Sequence, residues 1–257
     1  MDLQLRDKLF VVCGATSGFG FATYQRLVAE KAKVIVIARG KDRLSNLFKS
    51  NPRYTETLCG DITQNTTIQD LLEKIGSRPI SGVLVNAAGP PAKSFLETDI
   101  ADWDQAYHQL LRWKVELTKL LLPKFEQQKY GRLLYVESSS VKQPIENLVL
   151  STSLRLAVVG LVKTLSQEIP DKGITFNVLA PGFHYTPASE RLIVKKVENS
   201  ELSFQEARGL IEQNIPMKKM GDVDKFASLA VWLMSPLSEY ITGQVFTVDG
   251  GVVKSTL

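Results

Sequence analysis

Features that mark secreted or metal-binding proteins are scarce in this sequence. It contains two cysteines, Cys13 and Cys59, and neither belongs to a CxxC motif or has a cysteine or histidine neighbour. The spacing therefore gives no support to a disulfide or a zinc site. Because both cysteines lie in or beside apolar, strand-like runs, we predict that they are buried free thiols.

A strong charge of one sign and a long hydrophobic run are also missing. The chain has 31 Lys and Arg against 27 Asp and Glu, a net charge of only +4, and its basic residues are scattered. That distribution gives little support to a role on nucleic acid or on a membrane surface. No apolar run approaches the roughly 20 residues that span a bilayer, and the first residues, MDLQLRDKLFVVCG, include acids where a signal peptide is basic. These absences predict a cytoplasmic protein.

The sequence does contain a regular alternation of strand-like and helix-like segments. Apolar runs such as KLFVVCG, AKVIVIAR, SGVLVNAAG and GITFNVLAPG alternate with helical stretches over 257 residues, of which 44% are hydrophobic. Near-continuous apolar strands are typical of a parallel sheet that is covered on both faces. We therefore predict a single α/β domain with a doubly wound, mostly seven-stranded parallel sheet and helices on both faces. Its ligands should bind at the carboxyl ends of the strands.

One segment departs from this alternation. Residues 183–216 follow a strand end and are charged and irregular, with helical pieces but no strand. The segment is too long for a simple connection, so we predict a lid that covers the substrate. A solvated helical insertion is the alternative.

A glycine-rich turn follows the first strand and opens the first helix. Its GxxxGxG spacing allows a tight turn, a close approach of backbone amides to a pyrophosphate, and close packing of the helix that follows. The nucleotide-binding residues predicted in this turn are Gly14, Thr16, Ser17, Gly18, Phe19 and Gly20.

Two further motifs occur in the expected order after later strands. Asn86-Ala87-Ala88-Gly89 follows the fourth strand and Pro181-Gly182 follows the sixth. Together with the glycine spacing they resemble the short-chain dehydrogenase/reductase family over essentially the whole chain, which looks like an atypical member that resembles the 3-oxoacyl carrier-protein reductases. The resemblance implies a Rossmann fold that binds a nicotinamide dinucleotide. It also implies that Asp61 and Ile62 contact the adenine, that Asn86 holds the central sheet, and that Thr186 contacts the nicotinamide carboxamide.

The end of the second strand predicts which nucleotide is preferred. The run VIVIAR places Ala38 and Arg39 where the adenosine ribose should lie. A carboxylate there would favour NAD(H), whereas a guanidinium can pair with a 2′-phosphate. We therefore predict NADP(H), with Lys41 or Arg43 able to share the contact. Arg39 as an ordinary surface arginine is the alternative.

The resemblance implies a catalytic tetrad of Asn, Ser, Tyr and Lys, but only the serine is present. Ser138 matches it, while Ser151 stands at the tyrosine position, Arg155 at the lysine position and Leu110 at the asparagine position. A serine hydroxyl is too weak an acid to replace the phenol unaided, and an arginine cannot pass on a proton. Arg155 can still hold the nicotinamide ribose and stabilise a developing alkoxide.

A replacement proton donor is therefore needed. We rank Ser138 with a bound water first, then Tyr185 or His184, and then Lys142, which shares a loop with Glu146. His184 could titrate near neutrality. For each of them a loop residue that faces solvent is the alternative. The serines at 138, 139, 140 and 151 leave a polar pocket that could suit an acidic or polar carbonyl substrate.

Two functions remain open. The first is an NADPH-dependent reductase of a carbonyl or conjugated enone, in which Arg155 and Ser138 stabilise charge. The second is a non-catalytic NADP(H)-binding protein that senses redox state or supports an active partner. For both we predict a homodimer or homotetramer, because helices 101–128 and 150–169 carry apolar residues on more than one face and the equivalent helices of the family pair across a two-fold axis.

Overall fold

A parallel sheet forms the centre of the computed structural model, which describes residues 1–169, 172–198, 200 and 202–256. Its strands are β1 (Leu9–Cys13), β2 (Lys33–Ala38), β3 (Thr55–Cys59), β4 (Gly82–Val85), β5 (Gly131–Val136), β6 (Ile174–Pro181) and β7 (Val245–Val248). Every neighbouring pair is parallel, and the order across the described part of the sheet is β3-β2-β1-β4-β5-β6-β7. The prediction of a seven-stranded parallel sheet is confirmed.

Helices cover both faces of this sheet, as the doubly wound prediction requires. They are α1 (Gly18–Ala29), α2 (Lys41–Ser50), α3 (Asn65–Ile75), α4 (Ile100–Tyr107), α5 (Trp113–Gln128), α6 (Val149–Glu168), α7 (Pro187–Glu198), α8 (Phe204–Gln213) and α9 (Val223–Leu233). Helices α3, α5 and α6 share one apolar layer with the sheet. Helices α1, α2 and α9 share the layer on the opposite face.

Strand β1 shows why the strands read as continuous apolar runs. All five of its residues are buried. Val11 and Cys13 belong to the layer with α3, α5 and α6, whereas Phe10 and Val12 belong to the layer with α1, α2 and α9. Because successive side chains of a strand point to opposite faces, a strand between two helical layers needs an apolar residue at every position.

The prediction that both cysteines are buried is wrong for one of them. Cys13 is buried at the end of β1, but Cys59 is exposed. Cys59 ends β3, the edge strand, which has a neighbour on one side only. Its Sγ lies 3.5 Å from the carbonyl oxygen of Arg39.

The winding of the sheet reverses between β1 and β4, which lie side by side although two strands separate them in sequence. In sheets of this kind the ligand crevice opens at such a reversal, at the carboxyl ends of the strands. Residues 14–20, 86–89, 137–142 and 182–186 follow β1, β4, β5 and β6, so they share this edge.

The helix predicted over 101–128 is interrupted. A π-helical turn, His108–Arg112, separates α4 from α5. It contains Leu110, the residue that the resemblance places at the asparagine position, whose side chain is buried. Such turns are rare in proteins, and those that occur often lie at functional sites. The helix predicted over 150–169 corresponds to α6, shifted by one residue.

Helix α6 corrects one expectation about length and hydropathy. Of the helices in the described residues, it is the one that is long and apolar enough to cross a membrane, with a mean hydropathy of 1.4. Arg155 and Lys163 interrupt its apolar run, but its mean hydropathy stays high. Here α6 packs on β6 and α4, and Arg155 lies in a buried ion pair, so this is weak evidence for a membrane span.

Helices α7 and α8 form most of the irregular segment 183–216 and pack on each other. A small apolar cluster of their own, separate from the two layers of the sheet, contains Ile193, Ala207, Ile215 and Met220. The segment is therefore a helical pair at the crevice edge, and its role as a lid stays a prediction.

The apolar layers predict a large effect at Phe176 in β6, which is fully buried. Phe176→Ala should lower the free energy of unfolding by about 3–5 kcal/mol, because the cavity cannot fully collapse. Phe48→Ala removes the same side chain from a position that is 46% exposed and should change stability by no more than about 0.5 kcal/mol. Urea denaturation of both variants measures the difference, and equal effects would contradict this assignment of the core.

Candidate active site

The glycine-rich turn folds back on itself beside the sheet. Gly14 and Gly18 have φ values of +66° and +54°, which favour glycine. A Cβ atom on Gly20 would overlap the carbonyl oxygen of Gly14. Across the reversal point, the Asn86 side-chain amide donates to the carbonyl oxygen of Cys13 at 3.3 Å, which ties the end of β4 to the end of β1.

This turn leaves the start of α1 open to an anion. Ser17 occupies the N-cap position, but its side chain makes no capping hydrogen bond. The first amide groups of the helix point outward without a side-chain acceptor, and the helix dipole adds a favourable field for negative charge. Thr186 approaches from the other side of the crevice, since its Cγ2 would lie 3.6 Å from a Cβ on Gly18. The structure thus brings these predicted nucleotide-binding residues together.

Arg39 and Asp61 face each other at the ends of β2 and β3. The Arg39 guanidinium lies 3.9 Å from the Asp61 carboxylate, and its side chain is 75% exposed. Asp61 is oriented by Thr63, whose backbone amide and hydroxyl both donate to its Oδ1. Ile62 is buried beside it. Arg39 therefore forms an exposed ion pair with Asp61, and Thr63 holds Asp61 in place.

A buried ion triad lies at the centre of the crevice edge. Glu137 follows β5, and its carboxylate is inaccessible to solvent. Lys114 of α5 donates to its Oε1 at 2.5 Å, and Arg155 of α6 donates from Nη1 to its Oε2 at 2.9 Å. We call Lys114, Glu137 and Arg155 the ion triad.

The arginine of the triad is fixed in three directions. Besides Glu137, it donates from Nη1 to the carbonyl oxygen of Val136 at 3.3 Å and from Nε to the hydroxyl of Ser151 at 3.0 Å. Its Nη2 would lie 2.9 Å from a Cβ on Gly89, and Gly89 itself is exposed. Because Gly89 has no side chain, the Nη2 edge of the guanidinium borders the open crevice.

The ion triad holds two cations and one carboxylate. Burial lowers the pKa of Lys114 most strongly, Glu137 raises it and Arg155 lowers it, and the net result is a pKa of about 8. Lys114 is therefore mostly protonated at neutral pH. The triad then carries a net charge of +1 in a region from which water is largely excluded.

Sequence reasoning missed both Glu137 and Lys114, although each left a signal. Glu137 is an acid at the end of a strand whose other residues are all buried. Lys114 lies on the same helix face as Leu117 and Leu121, which belong to the apolar layer. A charged residue at such a position requires a buried partner.

The hydroxyl groups of Ser138 and Ser151 each accept one hydrogen bond. The Ser138 hydroxyl accepts from the backbone amide of Ser140 at 3.2 Å and caps the short 3-10 turn that follows. The Ser151 hydroxyl accepts from Arg155, as described above. Each hydroxyl keeps its own proton for a further acceptor. The buried hydroxyl of Ser140 has no hydrogen-bond partner among the described residues.

His184 is placed poorly for the proton transfer that its position predicted. It is 5% exposed and packs between the rings of Phe19 and Phe226, against Gly221. Burial lowers the pKa of His184, which favours the neutral ring. Nδ1 lies 3.2 Å from the carbonyl oxygen of Gly182 and must carry the proton of the neutral ring, so Nε2 has none to give. The structure assigns His184 a packing role.

The other predicted donors lie at the rim. Tyr185 is 42% exposed, and its hydroxyl is 3.5 Å from Glu190. Lys142 is half-buried and Glu146 is exposed in the turn that follows Ser138. The backbone of the Pro181-Gly182 motif is joined to β7 by a hydrogen bond from the Gly182 amide to Val248 at 2.9 Å.

The geometry of the glycine turn predicts that Gly20→Ala weakens NADPH binding by about tenfold or more. A side chain there would collide with Gly14, and overpacking costs about 1–3 kcal/mol, where about 1.4 kcal/mol is tenfold in affinity. Gly160→Ala is the matched control, because nothing lies within 4 Å of its Cβ position on α6. Nicotinamide fluorescence titration measures both affinities. Unchanged binding in Gly20→Ala would refute the role of the turn.

Comparison with known proteins agrees with this geometry. A protein-family model described as "Enoyl-(Acyl carrier protein) reductase" matches residues 14–253. The chain is 26% identical to the NADPH-dependent reductase BacG of Bacillus subtilis (strain 168), over 95% of this chain and 97% of that protein. It is 28% identical to the 3-oxoacyl-[acyl-carrier-protein] reductase FabG of Thermotoga maritima, over 98% and 100% of the two chains.

A solved structure shows the same likeness in three dimensions. The crystal structure of YwfH, an NADPH-dependent reductase involved in bacilysin biosynthesis, superposes with a TM-score of 0.90 at 25% identity and covers 97% of this chain and 99% of that one. The family match over nearly the whole length, the sheet order and the glycine turn all agree. The chain belongs to the short-chain dehydrogenase/reductase family.

Proposed function

We propose that this protein is an NADP(H)-dependent oxidoreductase that reduces a carbonyl, or a conjugated enone, of a small polar substrate. The observation that carries the proposal is Arg155, a buried guanidinium held by Glu137 at the position of the family's catalytic lysine, with one edge toward the crevice. Relatives named as NADPH-dependent reductases support the same reaction class.

The nucleotide would lie along the crevice edge. The outward amides at the start of α1 and the bare backbone of Gly14 and Gly18 suit its pyrophosphate. Arg39 suits a 2′-phosphate, since its side chain is 75% exposed and its ion pair with Asp61 is long, at 3.9 Å. Bound NADPH would supply a hydride, which is chemistry that no side chain provides.

Arg155 and the two serines would act on the substrate oxygen. The Nη2 edge of Arg155 is a fixed positive group that can stabilise negative charge as it develops on that oxygen. Ser151 and Ser138 each accept a hydrogen bond already, so their own protons are free to donate to it. The group that finally delivers a proton would be Ser138 with a water, Tyr185 or Lys142.

The assembly and location of the protein remain part of this proposal. Only 28% of the most apolar window of α6 is buried, and Leu156 is 49% exposed. A face of that kind suits pairing with a second copy of the chain, as a homodimer or homotetramer. We also propose a cytoplasmic location and a substrate-covering role for segment 183–216.

A non-catalytic NADP(H)-binding protein is the second candidate. The observation that favours it is the replacement of the tetrad tyrosine, lysine and asparagine by Ser151, Arg155 and Leu110. This candidate requires tight NADPH binding without any substrate-dependent oxidation of NADPH over a broad panel of carbonyl compounds and enones.

Arg39→Ala tests the choice of nucleotide. Loss of a charge-assisted contact to the 2′-phosphate should weaken NADPH binding by about 10- to 100-fold, equivalent to about 1.5–3 kcal/mol. NADH lacks that phosphate, so its affinity serves as the internal control and should stay within about twofold. An equal loss for both nucleotides would show that Arg39 does not read the phosphate.

Arg155→Met tests the catalytic role. Removing the fixed donor at the reacting oxygen should lower kcat by about 10²–10³-fold, the range found for single oxyanion-stabilising groups. Because Arg155 can also hold the nicotinamide ribose, kcat is measured at saturating NADPH, so that weaker NADPH binding does not count as lost turnover. Arg155→Lys keeps the charge but not the fork of donors and should fall between wild type and Arg155→Met. Wild-type turnover in Arg155→Met would exclude the proposed role.

A further inference from the structure

The ion triad has one positive charge more than it has negative charge. Lys114 and Arg155 share the single carboxylate of Glu137, and their side chains are 2% and 9% exposed. No second carboxylate forms an ion pair with either cation in the described residues. A charge removed from water without a partner is strongly unfavourable, so this arrangement favours an anion as its fourth member.

The hydrogen bonds within the ion triad leave one donor group, Nη2 of Arg155, to which an anion can bind. Lys114 is enclosed between Glu137 and the ring of Trp113, whose centroid is 5.9 Å from Nζ. The Nε and Nη1 atoms of Arg155 already donate to protein acceptors. Nη2 has no hydrogen bond among the described residues, and it lies beside the exposed Gly89.

We propose that the substrate is a short oxo acid whose carboxylate pairs with Nη2 of Arg155 and neutralises the ion triad. Nη2 carries two N–H donors, so one can bind the carboxylate while the other is available to the oxo oxygen of the same molecule. This inference rests on the proposed function for the reaction, but the binding of the acid can be measured without any turnover.

Lys114 sets how strongly the site attracts the anion. The charged groups that face it are Glu137 from the end of β5 and Arg155 from α6. Protonated Lys114 gives the triad its charge of +1, and loss of that proton makes the triad neutral. Anion affinity should therefore be greatest below the pKa of Lys114, about 8, and should fall as the pH rises through it. The bound anion in turn raises that pKa.

The test compares acids with their uncharged esters. Pyruvate, acetoacetate and levulinate, each paired with its methyl ester, are titrated by calorimetry into enzyme saturated with NADP⁺, where no hydride can be transferred. At least one acid should bind about tenfold or more tightly than its ester, equivalent to about 1.4 kcal/mol. Equal binding of acid and ester in all three pairs, or binding of neither, overturns the proposal.

Two lysine variants separate the triad from the general charge of the protein. Lys114→Met removes the excess charge and should bring the acid-to-ester ratio close to one. Lys119→Met removes the same charge from an exposed position on the same helix and should leave the ratio unchanged. If Lys114→Met weakens NADP⁺ binding and preserves the ratio, the anion is a group of the nucleotide and the proposal fails.

The reductase function and the oxo-acid site can fail separately. If the oxo acids or their esters are reduced with oxidation of NADPH but acid and ester bind equally, the reductase function is supported and the proposed acid site is refuted. If an acid binds preferentially but NADPH is not oxidised, the acid site is supported and the reductase function is refuted. The non-catalytic NADP(H)-binding protein is then the remaining candidate.

Discussion

The geometry of the site depends on the ion pairs that the buried carboxylate of Glu137 forms with Lys114 and Arg155. This carboxylate stands at the end of β5 and receives one cation from α5 and one from α6, so it joins a strand end to two helices. Without it, Lys114 and Arg155 would be two like charges in a region of low dielectric, where they repel strongly. The direction of Arg155, its contact with Ser151 and its position beside Gly89 all follow from this carboxylate.

Ser151, Arg155 and Glu137 form one coupled set. A guanidinium has donors in a fixed plane, and here Nη1 serves Glu137 and Val136 while Nε serves Ser151. A lysine at 155 would offer a single point of charge and could not satisfy these acceptors together. Ser151 supplies the acceptor that Nε needs, and Glu137 supplies the charge. The presence of Ser151 beside Arg155 is therefore explained by their mutual contact.

Much of the fold could be predicted from the sequence, because the alternation of apolar and helical segments and the glycine turn are local patterns. The failures depend on distant neighbours. Cys59 is exposed because β3 falls at the edge of the sheet, and no local run encodes strand order. Glu137 is 23 residues from Lys114 and 18 from Arg155, and only the packing of α5 and α6 on the sheet brings the three together. The enclosure of His184 by Phe19 and Phe226 is likewise set by α1 and α9.

Stability alone does not account for the ion triad. Buried ion pairs are often no more stabilising than apolar residues of the same volume, because the cost of removing the charges from water offsets their attraction. The surrounding layer of Trp113, Leu117, Val158 and their neighbours would accept such residues readily. What apolar packing could not provide is a fixed guanidinium edge with unbalanced positive charge at the mouth of a nucleotide crevice. That property is chemical, and it is the one on which the proposed binding of an anionic substrate and the proposed reduction both depend.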